Sequence, residues 1–428
     1  MTPQTNKQRP IAVDLFAGAG GMTLGFEQAG FDVLASVEID PVHCATHQFN
    51  FPFWSILCQS VVEIAGAQIR KQSAIGDREI DAVIGGPPCQ GFSISGKRDL
   101  HDPRNQLVFH FQRLVVELRP KFFAMENVPG MTCGEHKQLL KSLIDKFQSQ
   151  GYQVEENYQI LNAASYGVPQ SRERLFLIGC RQDLELPQYP QPITSFARSQ
   201  KSPRLPVSPP PLPLGPTVWD ALSDLPEAED YPELLYRDWV FAEYGKPSDY
   251  ARQMRGFSPL EDDYSYQRQW EACLLSSSLR TKHTVESIKR FAKTSQGHRE
   301  PISHFHKLHP EGTCNTLRAG TDKHRGSFTA PRPIHPFTPR CITVREAARL
   351  HSYPDWFRFH ATKWHGFRQV GNSVPPLLAK AVAGEIIRAL GLVPFKPNIT
   401  QATGDEKLLQ LSAFQAAQLY LTAHRSLI

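Results

Sequence analysis

Apolar runs alternate with helically spaced segments through the first 185 residues of the chain. Residues 11–16 and 33–37 are short apolar runs that predict buried strands, and residues 22–29 between them have a helical spacing that stops at Gly30. Further strands are predicted at 80–84, 121–125, 152–160 and 175–180, and further helices at 105–118 and 135–148. This rhythm of strand and helix predicts an α/β fold built on an open sheet.

The pattern changes in the second half of the chain. Residues 187–216 are rich in proline, serine and glutamine, which is typical of a linker or surface wrap, and residues 217–330 lack the strand–helix rhythm. Helices are again predicted at 343–350 and 377–390, and an amphipathic helix of unassigned role at 407–426. We therefore divide the chain into a first part of the α/β domain at 1–185, an inserted smaller domain with a proline-rich entry at 186–364, and a segment at 365–428 that returns to the first domain.

Composition narrows the class of protein. The 428 residues are 40% hydrophobic and 21% charged, as in soluble globular proteins, and the formal charge of +5 permits a polyanionic partner. No apolar run has the length that a bilayer span requires, so we expect no membrane association. The 8 cysteines form no C-x-x-C pair, and His304, His306 and His309 lack the spacing of a zinc site. We expect a cytoplasmic protein with reduced thiols and no metal.

The first two strands end in residues suited to a nucleoside. Glycines at 18 and 20 allow the backbone to approach a ligand at the start of the first helix. Thr23 stands where the dinucleotide fingerprint has its third glycine, which disfavours a nicotinamide cofactor. Glu38 ends the second strand, where an acidic side chain accepts hydrogen bonds from ribose hydroxyls. Asp40 is better placed to cap the helix that begins at Pro41.

A cysteine lies on a rigid loop at the end of the strand predicted at 80–84. Two glycines and two prolines precede Cys89 and fix the loop, as suits a nucleophile, although a buried cysteine beside a tight turn would give the same pattern. Glu126 ends the next strand and is therefore expected in the same cleft. Arg172 and Arg174 alternate on an extended segment, so their side chains are expected to point the same way.

Taken in order, these segments resemble the motifs of prokaryotic DNA (cytosine-5)-methyltransferases, which use S-adenosylmethionine. The resemblance covers both flanks of the chain and leaves residues 227–310 unmatched. The matching motifs, besides Glu38, are DLFAGAGG (14–21), GPPCQGFS (86–93), ENV (126–128), QSRER (170–174), PTVWDALSDLP (216–226), TL (316–317), RCITVREAARL (340–350) and GNSVPP (371–376). It implies a Rossmann-like S-adenosylmethionine-dependent methyltransferase sheet with an inserted smaller target-recognition domain.

The resemblance also implies a reaction. Cys89 as thiolate would add to carbon 6 of a cytosine swung out of duplex DNA, so that carbon 5 becomes nucleophilic and takes the methyl group. Glu126 would hold the N3 edge of the base, and Arg172 and Arg174 would hold its carbonyl and the local backbone. Carried over position by position, the cofactor pocket comprises Phe16, Gly18, Gly20, Glu38, Ile39, Pro88, Leu107, Asn372 and Ser373. The residues expected to contact DNA are Gln90, Ser93, Gly96, Thr316, Leu317 and Arg318.

One position departs from the family pattern. An aspartate usually ends the third strand and holds the adenine amino group, but here Gln59 and Ser60 follow Cys58. Either side chain offers an acceptor without a negative charge.

Other readings remain open at this stage. A methyltransferase acting on tRNA cytosine shares the motifs but should have a shorter insert, and a catalytically silent DNA-binding relative should lack one of the reacting residues. A zinc-dependent deaminase would require a Cys-x-x-Cys pair that Cys89 does not have. Family habit implies a monomer, whereas the recognition sequence and the presence of a cognate restriction endonuclease do not follow from the sequence.

Overall fold

The computed structural model describes residues 8–88, 106–134, 136–196, 212–258, 261–320 and 332–425. An eight-stranded sheet forms the centre of this part of the chain. Its strands are β1 (Ile11–Leu15), β2 (Asp32–Glu38), β3 (Ser55–Cys58), β4 (Ala82–Gly85), β5 (Phe122–Asn127), β6 (Tyr152–Val154), β7 (Gln159–Asn162) and β9 (Glu173–Arg181). The short strands elsewhere are β8 (Gln170–Ser171), β10 (Val240–Phe241), β11 (Gln267–Arg268), β12 (Leu274–Leu275), β13 (Cys314–Asn315) and β14 (Thr400–Gln401).

The sheet has the order β3-β2-β1-β4-β5-β9-β6, and β7 also pairs with β9. The five strands from β3 to β5 are parallel, whereas β9 runs antiparallel to β5. All five parallel strands therefore end at one edge, on either side of the point where the order reverses between β1 and β4. Ligands bind at this edge in open α/β sheets. The predicted α/β class, with an open sheet of mainly parallel strands, is confirmed.

Helices cover both faces of the sheet. They are α1 (Gly21–Ala29), α2 (Pro41–Asn50), α3 (Gly66–Lys71), α4 (Leu107–Leu118), α5 (His136–Ser149), α6 (Val218–Leu222), α7 (Asp249–Met254), α8 (Val285–Lys293), α9 (Val344–Arg349), α10 (Lys363–Asn372), α11 (Pro376–Ala389) and α12 (Ala413–Arg425). Helices α1 and α11 pack closely because Gly25 has no side chain: a Cβ there would lie 2.4 Å from that of Ala379. None of the helices in the described ranges has both the length and the apolar character needed to cross a bilayer.

Most predicted boundaries agree with the structure to within two residues. The strand predicted at 152–160 is instead two strands, β6 and β7, which pair end to end along the same side of β9. Helix α10 was not expected from the pattern, and the helix predicted at 407–426 is a 3-10 turn (Glu406–Gln410) followed by α12.

The apolar core crosses the boundary predicted at residue 364. Val344, Leu350 and Phe359 lie in the same buried cluster as Leu24 and Phe26 of α1. Packing against the first domain therefore begins well before residue 364. The three-part division of the chain remains a prediction from the sequence.

Residues 261–269 of the inserted region pack against the first domain at helix α1, away from the glycine loop. Arg268 donates to both carboxylate oxygens of Glu27 in α1, at 2.8 and 2.7 Å, and both side chains are fully buried. The Arg268 guanidinium also lies over the ring of Trp356, 4.5 Å from its centroid. Strand β11, which contains Arg268, pairs with β14 near the C-terminus. We call residues 261–269 the back strap.

Candidate active site

The glycine loop after β1 has the conformation that its sequence demands. Gly18 and Gly20 have φ angles of 56° and 101°, in the region that glycine favours, and Phe16 between them and β1 has φ 62°. A Cβ on Gly20 would lie 2.5 Å from a ring carbon of Phe51. Helix α1 begins at Gly21, and its cap residue Gly20 has no side chain to accept from the first N–H groups, as suits a helix N-terminus that meets a ligand.

Glu38 organises the adjoining turn after β2. Its carboxylate accepts hydrogen bonds from the backbone N–H groups of Gly18 at 2.9 Å, Ile39 at 2.9 Å and Asp40 at 2.8 Å. The carboxylate is thereby held at the edge of the glycine loop. Asp40 caps α2 as predicted, because its Oδ1 accepts from the N–H of Val42 at 3.0 Å.

These residues fit an adenosyl group. Ile39 is 67% exposed and Phe16 is half-buried, and they directly follow β2 and β1, so both present apolar surface at the carboxyl edge of the sheet. An exposed branched side chain beside a fixed carboxylate suits a flat base attached to a ribose. The uncapped start of α1 suits the carboxylate of an amino acid. S-adenosylmethionine combines these three groups.

The end of the third strand offers no carboxylate. The Gln59 side-chain amide donates to Oε1 of Gln72 at 3.0 Å, and its backbone N–H donates to the Glu38 carbonyl at 3.0 Å. Ser60 uses its hydroxyl oxygen to accept the N–H of Val62 at 3.2 Å. Both side chains are half-buried, and each offers an uncharged hydrogen-bonding group where the family pattern has a carboxylate.

Glu126 and Arg174 form an ion pair at the end of β5. The Nε of Arg174 donates to Glu126 Oε1 at 2.7 Å, and both side chains are nearly buried. Burial raises the pKa of Glu126, although the positive charges of Arg174 and Arg172 oppose that rise. A Cβ on Gly86 would lie 2.9 Å from Glu126 Oε2, so the Glu126 carboxylate lies directly against the chain that leads into the cysteine loop. The arrangement is a carboxyl group that can bind or lose a proton beside a fixed cation.

Asn127 ties the same two segments together. Its side-chain amide donates to the Pro87 carbonyl at 3.3 Å, while its Oδ1 accepts from the N–H of Val128 at 2.8 Å. Pro88, the last residue described before the gap, is exposed. Cys89, Gln90, Ser93 and Gly96 lie outside the described residues.

Arg172 and Arg174 have different surroundings. The positive charges of both arginines act on Glu126, but only Arg174 contacts it. Arg172 is 1% exposed, and its guanidinium donates to three backbone carbonyls, those of Leu317, Gly371 and Ser373, each at 2.9 Å. The structure therefore gives Arg172 backbone partners, with no face open to a base.

The segment expected to meet DNA is anchored on strand β8. Thr316 is exposed, and its hydroxyl donates to the Ser171 carbonyl at 2.8 Å; Arg318 is also exposed. Leu317 differs from expectation, because its side chain is only 4% exposed and belongs to the core cluster around α1. A DNA contact by this side chain is therefore corrected to a packing role.

Three remaining cofactor candidates lie near the same edge. Asn372 is exposed and Ser373 is half-buried at the end of α10, and Leu107 is half-buried at the start of α4. Gly21 permits the approach of the Ser373 turn, since a Cβ there would lie 2.8 Å from that of Ser373.

Sequence reasoning missed two buried side chains, Gln170 and His351. Gln170 stood inside a quoted motif without receiving a role, and nothing in the pattern singled out His351. Both contact the residues that surround Arg172. Within the described ranges, no group of three or more His, Cys, Asp or Glu side chains is arranged to hold a metal ion.

Comparisons with known proteins agree with this geometry. A family model described as C-5 cytosine-specific DNA methylase matches residues 11–388. Type II methyltransferase M.XorII of Xanthomonas oryzae pv. oryzae is 56% identical over 412 residues, spanning 96% of this chain and 92% of that protein. Type II methyltransferase M.DdeI of Desulfomicrobium norvegicum is 33% identical and spans 87% of this chain and 88% of its own length.

Solved structures confirm the Rossmann-like methyltransferase architecture. A DNA modification methyltransferase encoded within a prophage of E. coli aligns with a TM-score of 0.70 and 34% identity, over 90% of this chain and 100% of that chain. The S. pombe Dnmt2 methyltransferase, at 15% identity and a TM-score of 0.52 over 90% of this chain and 100% of its own, shares the fold.

Proposed function

The chain belongs to the C-5 cytosine-specific DNA methylase family, and from that premise we propose which of its residues carry the reaction. The protein is a DNA cytosine-5 methyltransferase that uses S-adenosylmethionine. The observation that carries our assignment is the buried Glu126–Arg174 pair, which lies against Gly86 at the stem of the cysteine loop. The glycine loop and Glu38 lie at the same edge of the sheet.

The methyl donor would be held at the ends of β1 and β2. Phe16 and Ile39 would contact the adenine and Glu38 the ribose, while the N–H groups that begin α1 would face the methionine carboxylate. Asn372 and Ser373 would complete the pocket. When bound, S-adenosylmethionine supplies an electrophilic methyl group to carbon 5 of the cytosine.

Cys89 would act as the nucleophile. Its thiolate would add to carbon 6 of the target cytosine, which raises the electron density at carbon 5 and makes that atom able to accept a methyl group. Loss of the carbon 5 proton then restores the double bond and expels the thiolate. The cationic Arg174 would favour the thiolate over the thiol.

Glu126 would neutralise the negative charge that this addition creates on the base. Formation of the bond from sulfur to carbon 6 shifts π electrons within the ring toward N3, where a protonated carboxyl would donate a hydrogen bond or a proton. Burial raises the pKa of Glu126, which favours the protonated form, and Arg174 keeps the same group able to ionise again. Arg174 would also hold the base carbonyl.

DNA is the substrate, and the inserted region would read it. Exposed Thr316 and Arg318 support this assignment because β8 holds them beside the strand that carries Arg174. Gln90, Ser93 and Gly96, which the resemblance places on the cysteine loop, would close over the flipped base. The division into a catalytic part at 1–185, a recognition domain at 186–364 and a returning segment at 365–428 belongs to this proposal.

The names of the similar proteins suggest the biological setting. M.XorII and M.DdeI are Type II methyltransferases, a class that protects DNA from a companion restriction endonuclease. We propose that this chain acts as a monomer in the cytoplasm and modifies the site that a cognate endonuclease would cut.

Transfer of label from S-adenosylmethionine tests the assignment. The protein is incubated with labelled cofactor and unmethylated duplex DNA, and the digested nucleosides are separated. Label is expected in 5-methylcytosine with the wild type and with Cys273→Ala, an exposed cysteine remote in sequence from the motifs, and none with Cys89→Ala. Equal labelling by Cys89→Ala, or labelling of tRNA in place of duplex DNA, would overturn it.

A further inference from the structure

Gln170 connects residues 316–318, which the proposed function assigns to DNA and which we call the DNA-facing loop, to the buried core. Its side-chain Oε1 accepts the backbone N–H of Leu317 at 3.1 Å, and its Nε2 lies 3.2 Å from the Leu350 carbonyl and 2.8 Å from Nδ1 of His351. The side chain is fully buried. These partners fix the amide orientation, because the reverse orientation would direct its NH₂ group at the Leu317 N–H.

His351 connects Gln170 to residues 372–373, which the proposed function assigns to the cofactor and which we call the cofactor-facing turn. Its Nδ1 faces the Gln170 amide, which donates, so Nδ1 accepts and the ring proton resides on Nε2. That Nε2 donates to the Ser373 carbonyl at 3.1 Å. The ring is fully buried, and burial together with the charge of Arg172 lowers its pKa far below the usual range, which keeps the imidazole neutral.

Arg172 closes the network from the other side. One of its terminal nitrogens donates to the Leu317 carbonyl, and the other donates to the carbonyls of Gly371 and Ser373. Both backbone groups of Leu317 and the Ser373 carbonyl are thus held by three buried side chains. A displacement of one segment changes hydrogen bonds to the other.

We propose that Gln170 and His351 are positioning residues that couple the DNA-facing loop at 316–318 to the cofactor-facing turn at 372–373. The proposal rests on the proposed function, which assigns a ligand to each segment. Neither side chain needs to touch a ligand: Gln170 acts through Leu317, and His351 acts through Ser373.

Two substitutions of one residue separate the two halves of the coupling. In His351→Asn the side-chain oxygen takes the place of Nδ1 and still accepts from Gln170, but the shorter side chain does not reach Ser373. In His351→Gln the terminal NH₂ takes the place of Nε2 and still donates to Ser373, while the Gln170 amide loses the nearer of its two acceptors and keeps the Leu350 carbonyl. Because each variant removes one hydrogen bond, each is expected to lower the affinity for one ligand about three- to tenfold.

Steady-state kinetics with each substrate varied in turn, and the other held well below its KM so that coupling between the two ligands does not contribute, measures this split. His351→Asn should raise the KM for S-adenosylmethionine and leave the KM for duplex DNA within about twofold, and His351→Gln should do the reverse. Equal changes in both KM values for both variants, or no change in either, would overturn the proposal. A purely structural role would lower the melting temperature without a split.

Hydrogen exchange on the wild-type protein gives a readout that needs neither variants nor turnover. Binding of S-adenosylhomocysteine should slow amide exchange at Leu317 as well as in residues 371–373. Slowing confined to 371–373 would overturn the coupling even if both His351 variants fail to fold. A wild-type protein that binds the compound but methylates no DNA would instead refute the proposed function.

Discussion

Gly371→Ala tests the close approach of α10 to the DNA-facing loop. Alanine is more favourable than glycine in a helix interior by about 1 kcal/mol, so propensity alone would make this variant more stable. The added Cβ, however, would lie 2.4 Å from both the carbonyl carbon of Arg318 and the amide nitrogen of Ala319. Ordinary contacts of this kind are 3.4–4 Å, so the loop must retreat by about 1 Å.

This displacement of the loop determines whether Gly371→Ala raises or lowers the stability of the protein. It would stretch the hydrogen bonds that Leu317 makes with Arg172, now 2.9 Å, and with Gln170, now 3.1 Å. Two buried backbone groups without partners cost about 1–3 kcal/mol each, which exceeds the gain from propensity. We expect a net destabilisation of about 1–5 kcal/mol and a higher KM for DNA.

Gly384→Ala is the matched control. Gly384 also lies within a helix, α11, but apart from its own turn of helix no heavy atom of the described residues lies within 4 Å of the position that its Cβ would take. Urea unfolding should therefore show Gly384→Ala equal to or more stable than the wild type, and Gly371→Ala less stable. If both variants gain stability equally and the KM for DNA does not change, the packing of the loop against α10 is wrong.

Three further perturbations follow from the site and the core. Glu126→Gln removes the titrating group while keeping its shape, and kcat should fall by about 10²–10⁴-fold with little change in either KM; near-normal turnover would exclude proton donation by Glu126. Gly20→Ala forces φ 101° on a residue with a side chain and directs its Cβ at Phe51. Calorimetry should therefore detect much weaker binding of S-adenosylhomocysteine, and an unchanged Kd would contradict the loop geometry. Burial alone would raise the pKa of Glu346, but Arg340, bonded to both its oxygens at 2.8 and 2.9 Å, lowers it from 4.5 to about 2. The stabilisation is complete above the ordinary pKa of 4.5 and is lost as the pH falls toward 2, so Glu346→Gln should be less stable than the wild type at pH 7 and differ from it progressively less in acid.

Local chemistry made the catalytic edge predictable. Asp40 before Pro41 specifies a helix start, Gly30 specifies a helix end, and the structure shows both, with Gly30 at φ 113°. Glu38 and Glu126 lie at the carboxyl ends of β2 and β5, two strands of the same parallel set, and parallel strands necessarily bring such ends to one edge. Here the pattern of the sequence determines position without knowledge of distant contacts.

Features that depend on distant contacts were not predictable. Leu317 follows an exposed threonine and precedes an exposed arginine, so only its place in the core cluster of the folded chain identifies it as a core residue. Arg172 resembles Arg174 in the sequence, yet three carbonyls from segments about 145–200 residues away occupy its guanidinium. The break between β6 and β7 is likewise set by pairing with β9.

The back strap has a consequence for protein engineering. A designer who exchanges the whole inserted region between two relatives, in order to transfer sequence specificity, would also replace Arg268. Glu27 in the recipient's α1 would then be a buried carboxylate without its cation, a loss of about 3–5 kcal/mol. The graft should therefore retain the recipient's residues 261–269, even though they lie in the middle of the segment being exchanged.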